Sequence, residues 1–457
     1  MNLARDLTHL TVYTIDPEGC TDADDAFAYQ PLDDRTERVY VFIADPTLDM
    51  GPPGPWFESI VKKATTRYYP DREPDHLLPK DIVDEYTLMT HPDNTDPIRR
   101  AICVSYIVTD GKFQSEDPYF CNIVCLPENR YTYEAAAALG SGSGAGTVFQ
   151  RLVELSKRLA ATRGAPEQTI MTIPKVKDGT VTLHRDSPAV HDMHQMIAEL
   201  AIITNVTMAK TVGGIFRACP SAPGGQACSM VDVIIAMTKG GIKGAAYSGS
   251  AKKHEIIGDT YMHFTSPLRR AADLIAHYIF RHQQLRMYPP FTPAQLESYL
   301  TTINSVNKAV KKEHFKEQKT LMCRALQPHV PFILACRMTG EIKGWLNIML
   351  VGAIIGDVHH NIQISYCIKL QKRGYTKYGS DETFYVNVDT INLKEKFDEK
   401  ILPDVAAAVL EQDGGDPQLP SGSRQTPCCS LCGAPGTNKS TCPRNALSQH
   451  PNPQKHY

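Results

Sequence analysis

Four aspartates, Asp16, Asp22, Asp24 and Asp25, fall within ten residues of the stretch Thr14-Ile15-Asp16-Pro17-Glu18-Gly19-Cys20-Thr21-Asp22-Ala23-Asp24-Asp25-Ala26. Carboxylates this close repel one another, and a divalent cation removes the conflict. Mg²⁺ is hard, binds carboxylate oxygens, keeps several waters and is usually completed by substrate phosphates. A pair of such ions around a scissile phosphodiester would activate water on one side and support the leaving oxygen on the other. Taken alone, the stretch reads equally as a solvated acidic turn or a calcium loop. Its flanks favour a site: Val12-Tyr13-Thr14-Ile15 reads as a buried strand and Ala26-Phe27-Ala28-Tyr29 as a second, so the acidic loop is braced between strands.

The second chemistry-bearing element is Tyr261-Met262-His263-Phe264-Thr265-Ser266-Pro267-Leu268-Arg269-Arg270, running into Ala271-Ala272-Asp273-Leu274-Ile275-Ala276-His277-Tyr278. Pro267 suits a helix start, with Thr265 or Ser266 as cap. Arg269 and Arg270 then fall in the first turn, where the helix dipole disfavours cations unless an anion is bound beside them. An arginine fork there would hold a phosphate and stabilise charge that develops on it. The alternative is a capped helix whose arginines pair with local acids.

Together the two elements resemble the ribonuclease II family of processive 3′-to-5′ exoribonucleases. Its catalytic domain opens on T-I-D followed by D-x-D-D and closes on H-F-T-S-P-[IL]-R-R-x-A-D-L-x-x-H, and both occur here in order. Weaker matches lie between them: Phe42-Ile43-Ala44-Asp45, Tyr68-Tyr69-Pro70-Asp71-Arg72, Leu77-Leu78-Pro79, Arg130-Tyr131-Thr132-Tyr133, Glu199 with Asn205, Phe216-Arg217, and Ala246-Tyr247 with His254. The resemblance spans roughly residues 8 to 325 and implies a mixed α/β (α+β) RNB-type catalytic domain over 1–325. It places Asp16, Asp22, Asp24 and Asp25 on the family's metal-binding positions, for Mg²⁺ or Mn²⁺. Asp24, Asp25 and Arg269 become the catalytic residues, with Asp24 the least replaceable and Arg269 on the reacting phosphate. Arg270 is the adjacent basic position. Tyr68 falls on an aromatic position that stacks on a base near the 3′ end, which suits an enzyme accepting every base. The family's glutamate clamp on the last nucleotide maps to the helix Val310–Glu317, on Glu313 or alternatively Glu317; either acid would also serve as a helical partner for lysine. The family usually carries two cold-shock domains before the catalytic one, whereas here the first catalytic strand begins within about ten residues of Met1. Weaker RNA grip and processivity are the expectation, with partners supplying what is missing.

Composition agrees with a folded intracellular enzyme. The chain has 457 residues, 42% of them hydrophobic, enough for one large domain and one or two small ones. No apolar run approaches the ~20 residues that span a bilayer, and the first residues lack a signal-peptide core. A net charge of −2 does not exclude nucleic acid, because a basic channel coexists with an acidic exterior. Thirteen cysteines without a secreted-type framework suggest reduced thiols in a cytosol-like compartment.

The positioning elements follow. Arg151–Ala161 and Met193–Thr211 read as helices, and Ala135–Thr147 as a Gly/Ser-rich flexible loop. From about 330 to 400 short strands are expected at Phe332-Ile333-Leu334, Ile348-Met349-Leu350-Val351, Ile362-Gln363-Ile364 and Phe384-Tyr385-Val386. They stand where the family carries a small β OB-like domain that binds RNA. Lys369, Lys372, Arg373, Tyr375, Lys377 and Tyr378 mix cations with aromatics there, as single-strand grooves and solvated hairpins both do. Residues 413–427 read as a linker and 428–457 as a tail resembling a zinc knuckle. Cys429, Cys432 and Cys442 keep the C-x2-C-x4-H-x4-C spacing, but Thr437 stands at the histidine. Zn²⁺ needs a fourth ligand, and Cys428, His450 or His456 are the candidates; an unmetallated tail is the alternative.

The expected activity is metal-dependent hydrolysis of single-stranded RNA from the 3′ end to nucleoside 5′-monophosphates, with no membrane partner. A catalytically weak RNA-binding module of the same fold, an interaction protein recruited through the tail, and a DNA exonuclease are the alternatives.

Overall fold

The computed structural model describes residues 4–69, 72–89, 96–140, 142, 144–165, 169–219, 244–342, 345–362, 364–369 and 383–388, with the backbone alone within 338–348, 364–369 and 383–388. The zinc-knuckle cysteines Cys429, Cys432 and Cys442, the 413–427 linker, and the basic and aromatic residues 372–378 lie outside these residues.

The first half of the chain builds a sheet from β1 (Arg5–Asp6), β3 (Asp25–Pro31), β4 (Thr36–Ala44), β5 (Ile98–Thr109), β6 (Lys112–Ser115) and β7 (Tyr119–Val124), in the order β1-β7-β5-β4-β3 with β6 on β5. Its pairs are antiparallel except β1 with β7. Ile102–Tyr106 of β5 is buried without a break, as a strand covered on both faces must be. The β5–β6 turn is Asp110-Gly111, both at positive φ (51° and 77°), the backbone that a two-residue hairpin loop requires. A separate parallel pair joins β2 (Thr14–Asp16) to β8 (Arg130–Thr132).

Seven helices matter here: α1 (Phe57–Lys63), α2 (Lys80–Tyr86), α3 (Tyr133–Ala138), α4 (Gly144–Arg163), α5 (Pro188–Thr211), α6 (Ala271–Gln284) and α7 (Pro293–Leu326). Three of them close onto the strands. Phe149 of α4 packs edge-on against Tyr13, Phe27 and Tyr131. The Tyr106 hydroxyl of β5 donates to Thr207 of α5 at 3.2 Å. Phe280 of α6 lies 5.4 Å from Phe120 of β7. One apolar cluster runs from Val12 to Ile303 through these elements.

Short pairs follow: β9 (Thr172–Lys177) with β10 (Thr180–Arg185), β11 (Phe216–Ala218) with β12 (Ala246–Ser248), and β13 (Lys253–His254) with β14 (Asp259–Thr260). Beyond α7, strands β15 (Phe332–Ile342), β16 (Trp345–Ile355), β17 (Val358–His360), β18 (Ile364–Lys369) and β19 (Thr383–Val388) form an antiparallel OB-like sheet. The register of β15 on β16 shifts at Ala335/Cys336 and at Met338/Gly340, the irregularity that bends a strand in a curved sheet. The architecture is the mixed α/β one that the sequence leads to.

Two local expectations are corrected. Ala135–Thr147 is not a continuous loop: Ala135–Ala138 belongs to α3 and Gly144–Thr147 opens α4. Alanine favours helix, and the Thr132 side chain caps α3 by accepting from Ala135 N–H at 3.1 Å, so among the described residues of the stretch only Leu139, Gly140 and Gly142 stay outside helix. The second correction concerns the arginines. Helix α6 begins at Ala271, with Arg270 as its N-cap residue, so Arg269 and Arg270 precede the helix instead of filling its first turn. Asp273, inside the first turn, reaches back to accept from Ser266 N–H at 2.9 Å and holds the preceding turn in place.

Candidate active site

Each end of the acidic loop is tied to a strand. Asp16 closes β2 opposite Thr132 of β8, and Tyr13 exchanges hydrogen bonds of 2.8 and 2.9 Å with Phe27. Gly19 turns the loop at φ 79°, and Arg130 donates to the Cys20 carbonyl. Ala23, fully buried, is held on both sides: its N–H donates to Thr87 Oγ1 at 2.9 Å and its carbonyl accepts from Leu88 N–H at 2.9 Å. The Asp24 carbonyl accepts from Ala44 N–H at 2.9 Å, where β3 joins β4.

The arginine turn arrives at this loop from 245 residues away. Leu268 N–H donates to Asp24 Oδ1 at 2.8 Å and Arg269 Nε to Asp24 Oδ2 at 2.9 Å. Arg269 Nη2 donates to Ser266 Oγ at 3.0 Å. The Arg269 carbonyl accepts from Thr66 N–H at 2.9 Å and Thr65 Oγ1 at 3.0 Å, which brings in a third segment. Two residues on, the Tyr68 hydroxyl donates to Asp22 Oδ2 at 2.9 Å, and its side chain stays 47% exposed.

The groove onto which Tyr68 opens has a volume of ≈ 960 Å³ and is lined also by Arg217, Lys308, Lys311, Phe315, Glu313 and Glu317. Both acids proposed for the clamp therefore line the same groove as Tyr68. Arg270 turns elsewhere, its guanidinium donating to buried Asp273 at 2.8 Å.

Sequence reasoning passed over Arg217, Lys311 and His76 as site residues. Arg217 is buried and sits 4.6 Å over the Tyr247 ring. His76 Nδ1 is 3.8 Å from Asp22 Oδ2. Their signals were weak: Arg217 sits in a short strand, Lys311 in a mixed-charge helix, and His76 is a lone histidine.

The carboxylates differ in what they are free to do. Both oxygens of Asp24 accept protein donors, and Asp22 Oδ2 is taken by Tyr68. Asp16 Oδ2, by contrast, is buried without a hydrogen-bond partner. Burial first and the neighbouring Asp25 charge second push the Asp16 carboxyl up to about 7, against the pull of Arg130. Burial also raises Asp25, opposed by Arg269 and Arg270, and raises Asp24, opposed by Arg269 and the Leu268 N–H. Among the described residues no three His, Cys, Asp or Glu side chains converge to hold an ion by themselves. One or two carboxylates completed by water and phosphate is the usual Mg²⁺ arrangement, and the orphaned Asp16 oxygen beside Asp25 fits it.

Residues 4–222 match the family described as the RNB domain. Over that span the chain is similar to the ribonuclease II family. It is 23% identical over 399 residues to "Ribonuclease II, chloroplastic/mitochondrial" of Arabidopsis thaliana, covering 77% of this chain and 47% of that protein. Among solved structures, an active-site mutant of the Dss1 exoribonuclease from Candida glabrata superposes with a TM-score of 0.67 at 18% identity, over 85% of this chain and 54% of the other. RNase R of Mycoplasma genitalium, solved with ribose-methylated single-stranded RNA, gives 0.64 at 16% identity, over 86% and 70%. The chain thus spans about half the length of the curated relatives it matches. Among the described residues no helix of this RNB-domain protein is long and apolar enough to cross a membrane.

Proposed function

We propose that the protein is a divalent-cation-dependent 3′-to-5′ exoribonuclease that shortens single-stranded RNA to nucleoside 5′-monophosphates. The observation that carries the reading is the direct pairing of Asp24 with Leu268 N–H and Arg269, which joins two distant motifs, while Tyr68 links the same acidic loop through Asp22 to a groove lined by cations. The RNB-domain match and the RNA-bound structural neighbour support it.

In this reading Asp16 and Asp25 are the carboxylates that hold the cation, Mg²⁺ or Mn²⁺. The cation would supply Lewis acidity at the scissile phosphate and favour ionised water. Asp24 does not compete for that ion; it fixes the orientation of Arg269. With Nε on Asp24 and Nη2 on Ser266, the Nη1 end of Arg269 remains for a non-bridging phosphate oxygen, where a preorganised cation stabilises developing charge. Water adds to phosphorus, the bond from phosphorus to the 3′ oxygen of the shortened strand breaks, and that oxygen takes up a proton. Lys308, Lys311 and Arg217 neutralise the backbone that enters the groove. Tyr68 stacks on a terminal base through its exposed ring. Its hydroxyl stays protonated, since burial and the Asp22 charge raise its pKa.

A single-stranded RNA of about 30 nucleotides, longer than an OB-fold site, labelled at its 5′ end, tests the reading. A Mg²⁺-dependent ladder shortening from the 3′ end, abolished by EDTA, is expected. RNA bound but uncut at any Mg²⁺ concentration would leave a binding module, and equal digestion of matched DNA would remove the RNA assignment. Tyr68 allows a sharper check. Tyr68→Ala should weaken RNA affinity by about 1–3 kcal/mol, the range for loss of one base stack. Tyr68→Phe should keep that affinity while releasing Asp22. Equal affinity of all three proteins in fluorescence anisotropy would remove the stacking role.

A further inference from the structure

Arg99 is a buried cation whose contacts lead to the acidic loop without touching it. Residue 99 of β5 is 5% exposed, and its guanidinium serves main-chain carbonyls. Nε donates to Thr87 O at 3.1 Å and Met89 O at 3.4 Å, Nη2 to Met89 O at 3.3 Å, and Nη1 to Asp96 O and Ile98 O, each at 2.9 Å. The planar fork therefore fastens segment 87–89 to the start of β5. That segment is the one that grips Ala23 from both sides, through Thr87 Oγ1 and Leu88 N–H. Thr87 and Leu88 are fully buried. Ala23 lies between Asp22 and Asp24, two residues before Asp25.

We propose that Arg99 is a positioning residue for cation binding: through segment 87–89 it sets the place of Ala23 and so the separation of Asp25 from Asp16. The inference rests on the reading of this loop as a divalent-cation site. Its physical basis is that four carboxylates in ten residues drift apart unless the loop backbone is held, and an alanine side chain cannot hold it. The hold comes from outside, and Arg99 supplies the rigid end. Lysine cannot replace it, because one ammonium does not span two segments as a planar fork does.

The test uses the full chain and Mn²⁺ alone as probe, with free Mn²⁺ followed by electron paramagnetic resonance well below the melting temperature. Arg99→Lys and Thr87→Val are each expected to weaken Mn²⁺ affinity by roughly 10–100-fold, as loss of an outer support to a metal site does, with stoichiometry unchanged. The double variant should fall short of the product of the two effects, because both cut one chain of contacts. A merely structural arginine gives the opposite pattern: fewer sites in proportion to unfolded protein, each with wild-type affinity. That result overturns the proposal, and if Arg99→Lys does not fold, Thr87→Val decides it by the same measure. Wild type without bound Mn²⁺ overturns the cation reading along with it. Mn²⁺ bound normally by wild type and weakly by both variants, with RNA left uncut, supports Arg99 and removes the exonuclease assignment instead.

Discussion

Asp24→Asn should slow RNA shortening by about 10²–10³-fold or more, the loss seen when one preorganised charge-stabilising donor is misplaced, and leave RNA affinity nearly unchanged. Asparagine can still accept from Leu268 N–H through its oxygen. Its amide nitrogen then faces Arg269 Nε, donor against donor, where the native carboxylate oxygen accepts at 2.9 Å. The guanidinium must move, and with it the end that meets the phosphate. Affinity survives because Tyr68, Arg217, Lys308 and Lys311 line the groove independently. Arg269→Lys should resemble it in rate: a single ammonium keeps the charge but cannot meet Asp24, Ser266 and a phosphate oxygen at once. Single-turnover rates on labelled RNA, set beside anisotropy in EDTA, make the comparison. Wild-type rates for either variant would remove the Asp24–Arg269 pair from the mechanism.

The contribution of Asp16 to stability in the absence of metal, read as the difference between wild type and Asp16→Asn, should fall as pH rises from about 4 to about 7, and Mg²⁺ should reverse the loss. The sign follows from Asp16. Its folded pKa is pushed up to about 7, above the roughly 3.9 of an unfolded aspartate. Between those values the folded state binds more protons than the unfolded one, so rising pH favours unfolding. Burial raises Asp25 in the same direction. For Asp16 alone the effect is on the order of 2–4 kcal/mol across the window. A cation removes the repulsion, so the Mg²⁺-induced rise in melting temperature should be larger at pH 8 than at pH 5.5. Asp16→Asn should remove this contribution and shrink the Mg²⁺ effect. A rise of the same size at both pH values would show that these carboxylates are not the cation's ligands.

Legibility in the sequence tracked the range of the interaction. Strands β2 and β3 were readable because their apolar residues lie side by side along the chain, and α4 and α5 because their spacing repeats over many residues. The start of α6 was misread because it is decided by Asp273 reaching back to Ser266, a choice that no cap residue announces. The Gly/Ser stretch was misread because a cap at Thr132 and the helix preference of alanine outweighed the loop-like residues that follow.

The same divide runs through the site. Residue types and order alone determined that this chain pairs an acidic loop with an arginine turn in the manner of the ribonuclease II family, since carboxylate density and motif spacing are local properties. Which carboxylate is claimed by a protein donor and which is left without one was decided only by tertiary structure. Four chemically identical side chains become different when Leu268 and Arg269 claim Asp24, Tyr68 claims Asp22, and burial leaves Asp16 Oδ2 without a partner. Those partners come from tens to hundreds of residues away, so their influence on charge and orientation exists only once the chain has folded.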